Sequence, residues 1–154
     1  MTDFQQIEIL LVEDNPRDAE LALRSLRKRN LANQVHWVKD GAEALEFMFR
    51  EGAYAARNPS HSLKLVLLDL KMPKVDGIEV LRRLKSDERT RATPVVVMTS
   101  SSEERDLVES YRLGANSYIV KPVRFEAFLD TVAEIGLYWV IANRTPRGTN
   151  GEQA

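Results

Sequence analysis

Residues of several chemical kinds stand where apolar runs of the sequence end: Glu13, Asp14, Asp69, Thr99 and Lys121. Three carboxylates brought together repel one another, and this arrangement is costly unless a cation joins them. The chain has no cysteine, and no histidine adjoins these residues, so any metal ligands are hard oxygen atoms. Oxygen ligands of this kind suit Mg²⁺ or Mn²⁺.

If these groups meet, they form a receptor for a phosphoryl group. A carboxylate can be the nucleophile of phosphoryl transfer and form an aspartyl phosphate. The cation and Lys121 would neutralise charge on the transferred group, and the Thr99 hydroxyl would donate a hydrogen bond to it. Each residue alone has an ordinary explanation, because Asp69 could cap a turn and Lys121 could be a solvated surface residue. The combination favours phosphoryl transfer to Asp69.

The elements that would position these residues alternate between strand and helix. Residues 65–68 are an unbroken apolar run, which is typical of a strand buried on both faces of a parallel sheet. Strand patterns, each followed by helical spacing of apolar residues, occur at 7–12, 34–39, 65–68, 94–99 and 117–120. This alternation predicts a parallel sheet with right-handed crossovers, so the polar residues should converge on its carboxyl edge.

Local patterns also predict where helices begin and where a loop is unusual. Capping residues predict helix starts at Asn15, Asp40, Asp76 and Ser101. Residues 51–62 are long for a connection between a helix and a strand. They either contain a short helical turn or form a variable surface insertion, and loop-length statistics favour the insertion.

Size and composition limit the remaining possibilities. With 154 residues, 44% of them hydrophobic, the chain can bury the core of a single domain. The net charge of −1 gives no overall electrostatic case for binding nucleic acid or an anionic membrane. No signal-peptide layout or membrane-spanning apolar run is present, so we expect a cytoplasmic protein. We expect one domain over residues 1–142 and a flexible tail over 143–154.

The sequence resembles the receiver domain of two-component response regulators from about Glu8 to Val140. The resemblance rests on Leu11-Val12-Glu13-Asp14-Asn15, Leu67-Leu68-Asp69-Leu70-Lys71-Met72-Pro73, Asp76-Gly77, Met98-Thr99-Ser100, Gly114-Ala115-Asn116-Ser117-Tyr118 and Lys121-Pro122. It implies an α/β, flavodoxin-like, doubly wound sheet of five parallel strands in the order 2-1-3-4-5. It also implies a signalling protein that accepts a phosphoryl group from a histidine kinase. Such a protein has at most self-phosphorylation and self-dephosphorylation activity.

The same resemblance implies which residues hold the phosphoryl group and the metal. Asp69 would be the phosphoacceptor. Asp14 and Asp69 would bind Mg²⁺ directly, Glu13 would act largely through water, and Lys71 would contribute its main-chain carbonyl. Lys71 stands where asparagine is frequent in the family. Its ammonium could approach the phosphoryl group or point to solvent, and the sequence leaves both alternatives open.

The resemblance further implies how the phosphoryl group would be sensed. Thr99 matches the hydroxyl that turns toward the phosphoryl group, and Tyr118 matches the aromatic residue that moves inward with it. Lys121 matches the lysine that pairs with the phosphoryl oxygens, and its bond to Pro122 is expected to be cis.

A narrower resemblance is to the small single-domain regulators that partner bacterial phytochromes. It rests on the long loop at residues 51–62, on residues 115–118 and on the aromatic end at residues 136–142. It implies a phytochrome-type histidine kinase as the phosphoryl donor to a stand-alone receiver. The apolar residues of 135–141 exceed what one helix face buries against a sheet, so we expect a homodimer through this region; the alternative is that it folds back on its own domain.

Three other classes are less well supported by the residues. A small phosphatase with an aspartyl nucleophile would resemble Asp-x-Asp at the strand end, but Lys71 occupies the position of the acid. A pseudo-receiver that binds partners without phosphate would not need the complete set of acceptor, acidic pair, hydroxyl and lysine. A nucleotide-binding α/β protein would need a glycine-rich loop after the first strand, and none is present there.

Overall fold

The computed structural model describes residues 7–31, 34–56, 63–72, 75–122 and 124–144. Within these ranges, five short strands form one parallel sheet: β1 Ile9–Val12, β2 Val35–Val38, β3 Leu65–Leu68, β4 Val95–Thr99 and β5 Ser117–Val120. The strand order is β2-β1-β3-β4-β5, so the predicted flavodoxin-like topology is confirmed. The three central strands are buried along their whole length, as the continuous apolar runs predicted.

The register of the strands brings their polar ends to one edge of the sheet. Val12 of β1 lies beside Leu68 of β3, and Thr99 of β4 lies beside Val120 of β5. The residues that directly follow β1, β3 and β5 therefore leave the sheet at the same edge.

Five helices cover the two faces of the sheet: α1 Pro16–Lys28, α2 Gly41–Phe49, α3 Gly77–Ser86, α4 Glu104–Leu113 and α5 Phe125–Gly136. The predicted caps of the first three are confirmed. The side chain of Asn15 accepts the N–H groups of Arg17 and Asp18, and Asp40 and Asp76 cap α2 and α3 in the same way. Because α2 and α3 pack on one face and α1 and α5 on the other, the sheet lies between two apolar layers.

The predicted helix start at Ser101 is wrong. The helix α4 begins at Glu104, and its N-cap residue is Glu103, whose side chain makes no capping hydrogen bond. The hydroxyl of Ser101 instead donates a hydrogen bond to the carboxylate of Asp106. A hydrogen bond to a side chain five residues further along the chain thus replaces the cap that the sequence indicated.

The connection after α2 contains a short 3₁₀ turn, Gly52–Tyr54. The preferred expectation, an insertion without a helical turn, is therefore wrong for this part of the loop; residues 57–62 lie outside the described residues. Tyr54 is buried, and its hydroxyl donates a hydrogen bond of 2.8 Å to Glu43 Oε2. This contact anchors the turn on α2.

The chain continues beyond α5 as a π-helical segment, Leu137–Ala142. Ile135 and Val140 are buried in the domain itself, whereas Tyr138 is 52% exposed and Ile141 is 65% exposed. The region therefore folds back in part and leaves an exposed apolar surface in part. Most of the expected tail, residues 145–154, lies outside the described residues. Among the helices that are described, none is long and apolar enough to cross a membrane.

Close packing against Gly77 generates a prediction for stability. A Cβ atom at Gly77 would lie 2.5 Å from the carbonyl oxygen of Asp69 and 2.5 Å from the Cα atom of Leu70. We predict that Gly77→Ala lowers the free energy of unfolding by about 1–3 kcal/mol, because backbone must move to admit the methyl group. Urea denaturation measures this, with Ser86→Ala at the exposed end of α3 as the control. Equal midpoints for the two variants would contradict the prediction.

Candidate functional site

The carboxylates of Glu13, Asp14 and Asp69 meet at the carboxyl edge of the sheet. Each offers an oxygen atom that lies within 4.8 Å of the other two. Glu13 is 5% exposed and Asp69 is 6% exposed, so two of the three acids are removed from water. This donor set of closely spaced oxygens fits Mg²⁺ or Mn²⁺, the cations that carboxylates bind while several water ligands are retained.

The ammonium group of Lys121 is shared among three carboxylates. Its Nζ atom lies 2.9 Å from Glu13 Oε1, 2.7 Å from Asp18 Oδ2 and 3.3 Å from Asp69 Oδ2. The structure therefore places the predicted lysine beside the predicted acceptor. Asp18 was not identified from the sequence. An acidic residue in the first turn of a helix commonly interacts with the helix dipole. The position of Asp18 in the sequence therefore did not indicate a role in the site.

Burial and repulsion shift the protonation of this cluster. Burial, together with the nearby charge of Asp69, raises the pKa of Glu13 to about 7, although hydrogen bonding to Lys121 opposes the shift. Burial alone would lower the pKa of Lys121, but hydrogen bonds to Asp18 and Glu13 outweigh it and raise that pKa. The pocket thus holds more negative charge than one ammonium neutralises, which is the condition under which a divalent cation binds well.

The end of β1 is held in place by two further contacts. The indole Nε1 of Trp37 donates a hydrogen bond of 2.7 Å to the carbonyl oxygen of Glu13. The main-chain N–H of Asn15 donates one of 3.1 Å to Glu13 Oε2. The buried carboxylate is therefore fixed through both its main chain and its side chain. Trp37 was not identified from the sequence as part of the site.

Thr99 and Tyr118 both contact Ser101, in the loop after β4. Thr99 is fully buried, and its Oγ1 atom accepts a hydrogen bond of 3.3 Å from the N–H of Ser101. The Tyr118 hydroxyl donates one of 2.9 Å to the carbonyl oxygen of Ser101. The two predicted switch residues are thus linked through one loop residue.

The ammonium of Lys71 is paired with Asp106 and is also partly exposed to solvent. Its Nζ atom lies 3.3 Å from Asp106 Oδ2, in the first turn of α4, while its main-chain N–H donates to Asp69 Oδ1 at 3.2 Å. The carboxylate of Asp106 therefore holds the ammonium at the start of α4, where it remains half-exposed to water. The role of the Lys71 carbonyl as a metal ligand stays a prediction.

The expected cis bond between Lys121 and Pro122 is not found. The described residues contain no cis peptide bond, so this bond is trans. The trans isomer is the one that bonds preceding proline ordinarily favour, by about 0.5–1 kcal/mol.

A cleft of about 420 Å³ lies beside the acid cluster. It is lined by Asp14, Leu70, Lys71, Met72, Asp76, Ile78 and Asp106. The cleft connects Asp14 with the Lys71–Asp106 ion pair and gives solvent access to this side of the cluster.

Comparison with known proteins identifies the class. Residues 9–133 match the response regulator receiver domain family, and the chain belongs to that family. Its members are signalling proteins rather than classical enzymes, and they receive phosphoryl groups from histidine kinases.

Individual relatives cover nearly the same length as this chain. The probable methanogenesis regulatory protein FilR2 of Methanothrix harundinacea is 44% identical over 140 residues, which are 90% of this chain and 86% of FilR2. The solved structure of the phosphorylated cyanobacterial phytochrome response regulator RcpA is 37% identical, with a TM-score of 0.84 over 91% of this chain and 98% of RcpA. The Mn²⁺-bound form of response regulator Rcp1, a Synechocystis protein, is 33% identical, with a TM-score of 0.83 over 91% of this chain and 99% of Rcp1.

The protonation of Glu13 generates a prediction for metal binding. Its pKa is raised to about 7, so below that pH a proton competes with Mg²⁺ for the pocket, and above it the carboxylate is free. We expect the Mg²⁺ affinity to be nearly constant above about pH 8 and to fall by up to about tenfold per pH unit below 7. Titration calorimetry measures this. In Glu13→Gln we expect weaker binding with a flatter pH dependence; an equally steep dependence in that variant would contradict the assignment.

Proposed function

We propose that this chain accepts a phosphoryl group on Asp69 from a histidine kinase, in the presence of Mg²⁺ or Mn²⁺. It then signals through a change of conformation or association. The observation that carries the proposal is the position of the Lys121 ammonium, 3.3 Å from the buried carboxylate of Asp69 and bound also to Glu13. A buried acid, a second acid and an ammonium at one point provide the nucleophile and the positive charge that phosphoryl transfer requires.

In the proposed reaction, a carboxylate oxygen of Asp69 attacks the phosphorus atom of a phosphohistidine. A P–O bond forms, the P–N bond breaks, and its electron pair stays with the imidazole nitrogen of the donor. Lys121 pairs with the transferred oxygens and neutralises part of their charge. Glu13, Asp14 and Asp69, together with the Lys71 carbonyl, would hold Mg²⁺, which would supply further charge neutralisation when bound. A small acyl phosphate can replace the kinase as donor, which is the self-phosphorylation activity that we propose.

The proposed switch uses the loop after β4. The Thr99 hydroxyl, which now accepts the N–H of Ser101, turns to donate to the phosphoryl oxygens. Because Tyr118 is bound to the carbonyl of Ser101, a movement of this loop also moves the tyrosine. Phosphorylation then favours one of two conformers, and this difference is the output signal.

A phytochrome-type kinase is our proposed donor. Its support is the likeness to RcpA, which is described as a phytochrome response regulator, and the aromatic end of the chain. In this proposal the receiver occupies residues 1–142 and works alone in the cytoplasm, with residues 143–154 as a tail. Its output goes to a protein partner, and it binds neither nucleic acid nor a membrane directly.

Phosphorylation of the purified protein tests the proposal. With a small acyl-phosphate donor and Mg²⁺, we predict an intact mass increased by one phosphoryl group. Asp69→Asn and a chelated sample should show no adduct, because the nucleophile or the cation is missing. Asp130→Asn, an exposed acid on α5, is the matched control and should react like the parent. An adduct that persists in Asp69→Asn would contradict the assignment of the acceptor.

We further propose a homodimer that uses the C-terminal aromatic surface, which consists of Tyr138, Trp139 and Ile141. Tyr138 and Ile141 are exposed, and the rings of Tyr138 and Trp139 make an edge contact with centroids 5.0 Å apart. Exposed apolar patches of this kind mark protein contacts. A self-complementary surface near a two-fold axis would bury both copies of it.

Sedimentation tests the dimer. We predict that the parent sediments as a dimer and that Tyr138→Ala with Ile141→Ala weakens association by about tenfold or more, because apolar contact area is lost. Val108→Ala with Tyr111→Ala is the matched control, since these two residues are also at least half exposed but lie on α4. If the control weakens association as much as the test variant, or neither does, the proposed surface is incorrect.

A further inference from the structure

Lys71 joins the acceptor loop to α4. Its main-chain N–H donates a hydrogen bond of 3.2 Å to Asp69 Oδ1, and its ammonium lies 3.3 Å from Asp106 Oδ2. The residue therefore contacts the acceptor with its backbone and the helix with its side chain. The ammonium is half-exposed, so the ion pair is screened by water and is weak enough to exchange partners.

Asp106 connects this ion pair to the switch residues. Its Oδ2 atom also accepts a hydrogen bond of 2.5 Å from the Ser101 hydroxyl. Ser101 in turn accepts the Tyr118 hydroxyl at its carbonyl oxygen and donates its N–H to Thr99. A continuous series of contacts thus runs from Lys71 on the acceptor loop to both switch residues.

The helix α4 is held by little apolar burial. Ser110 is its only buried residue, and the hydroxyl of that serine has no hydrogen-bond partner. Val108 is 54% exposed and Tyr111 is 50% exposed. Because few apolar contacts hold α4, weak polar contacts also contribute to its position. Two of them are Lys71–Asp106 and Arg82–Glu109, whose charged atoms are 3.3 Å and 3.8 Å apart.

We propose that Lys71 has two positions: paired with Asp106 before phosphorylation, and paired with the phosphoryl oxygens on Asp69 afterwards. The inference rests on the proposed function. A phosphoryl group brings about −1.5 to −2 charge, two residues from Lys71, and the flexible stem of the lysine allows its ammonium to follow that charge. Departure of the ammonium removes the ion-pair partner of Asp106, which keeps its hydrogen bond from Ser101, and loosens α4. Phosphorylation of Asp69 is thereby coupled to the position of α4 through the side chain of Lys71.

Hydrogen exchange of the α4 amides, with and without the acyl-phosphate donor and Mg²⁺, tests the proposal. In the parent we expect phosphorylation to accelerate exchange in α4 by about two- to fivefold, the effect of losing one exposed ion pair. In Asp106→Asn and in Lys71→Met we expect that acceleration before phosphorylation, with little added by it. Lys71→Arg keeps the charge and should behave like the parent. Glu104→Gln removes an exposed charge from the same turn and should also behave like the parent.

The double variant separates coupling from two independent effects. If Lys71 and Asp106 act as a pair, Lys71→Met with Asp106→Asn exchanges no faster than either single variant. Two outcomes overturn this inference alone, provided that the parent forms its adduct on Asp69. One is that the effects of the two substitutions add. The other is that α4 of the single variants, before phosphorylation, exchanges no faster than α4 of the unphosphorylated parent. Absence of any adduct on the parent overturns the proposed function, and this inference with it.

Discussion

The sharing of one ammonium group among three carboxylates is the interaction on which the site depends. Glu13 and Asp69 are both buried, and side by side they would repel each other strongly without the charge of Lys121. The third partner, Asp18, comes from α1, so the same contact joins the first helix to the loop after the last strand. Packing of α1 beside α5 on one face of the sheet keeps these groups in reach of one another.

This sharing also explains how the pocket could respond to a cation and a phosphoryl group. The ammonium only partly offsets the negative charge, and burial together with the nearby charge of Asp69 raises the pKa of Glu13. A cation joining the acids would weaken their hold on Lys121, and the ammonium would then be available to a phosphoryl group on Asp69. Lys71 contacts Asp69 through its main-chain N–H and carries a second positive charge, which is paired with Asp106. The two lysines thus link the acceptor to different helices.

The sequence predicted the sheet and most of the site because both follow from local patterns. Apolar runs identify the strands, and a parallel sheet must bring their carboxyl ends together. Asp18 and Asp106 were missed because their partners are distant in the chain and an acid early in a helix is ordinary. The sequence did not favour the 3₁₀ turn in the loop after α2. The contact of Tyr54 with Glu43 that anchors this turn produces no periodic pattern of apolar residues. The position of the Lys71 side chain likewise depends on a tertiary partner.

Titration of the Glu13 side-chain carboxyl group by carbon NMR tests most directly whether the charge of Lys121 offsets the repulsion between the buried carboxylates. In the metal-free protein the pKa of Glu13 should be about 7. Saturating Mg²⁺ should lower it, because the cation favours the carboxylate. Lys121→Met should raise it further, because the offsetting charge is removed. A Glu13 pKa near 4.5 in the metal-free parent, or one that Lys121→Met leaves unchanged, would contradict the account.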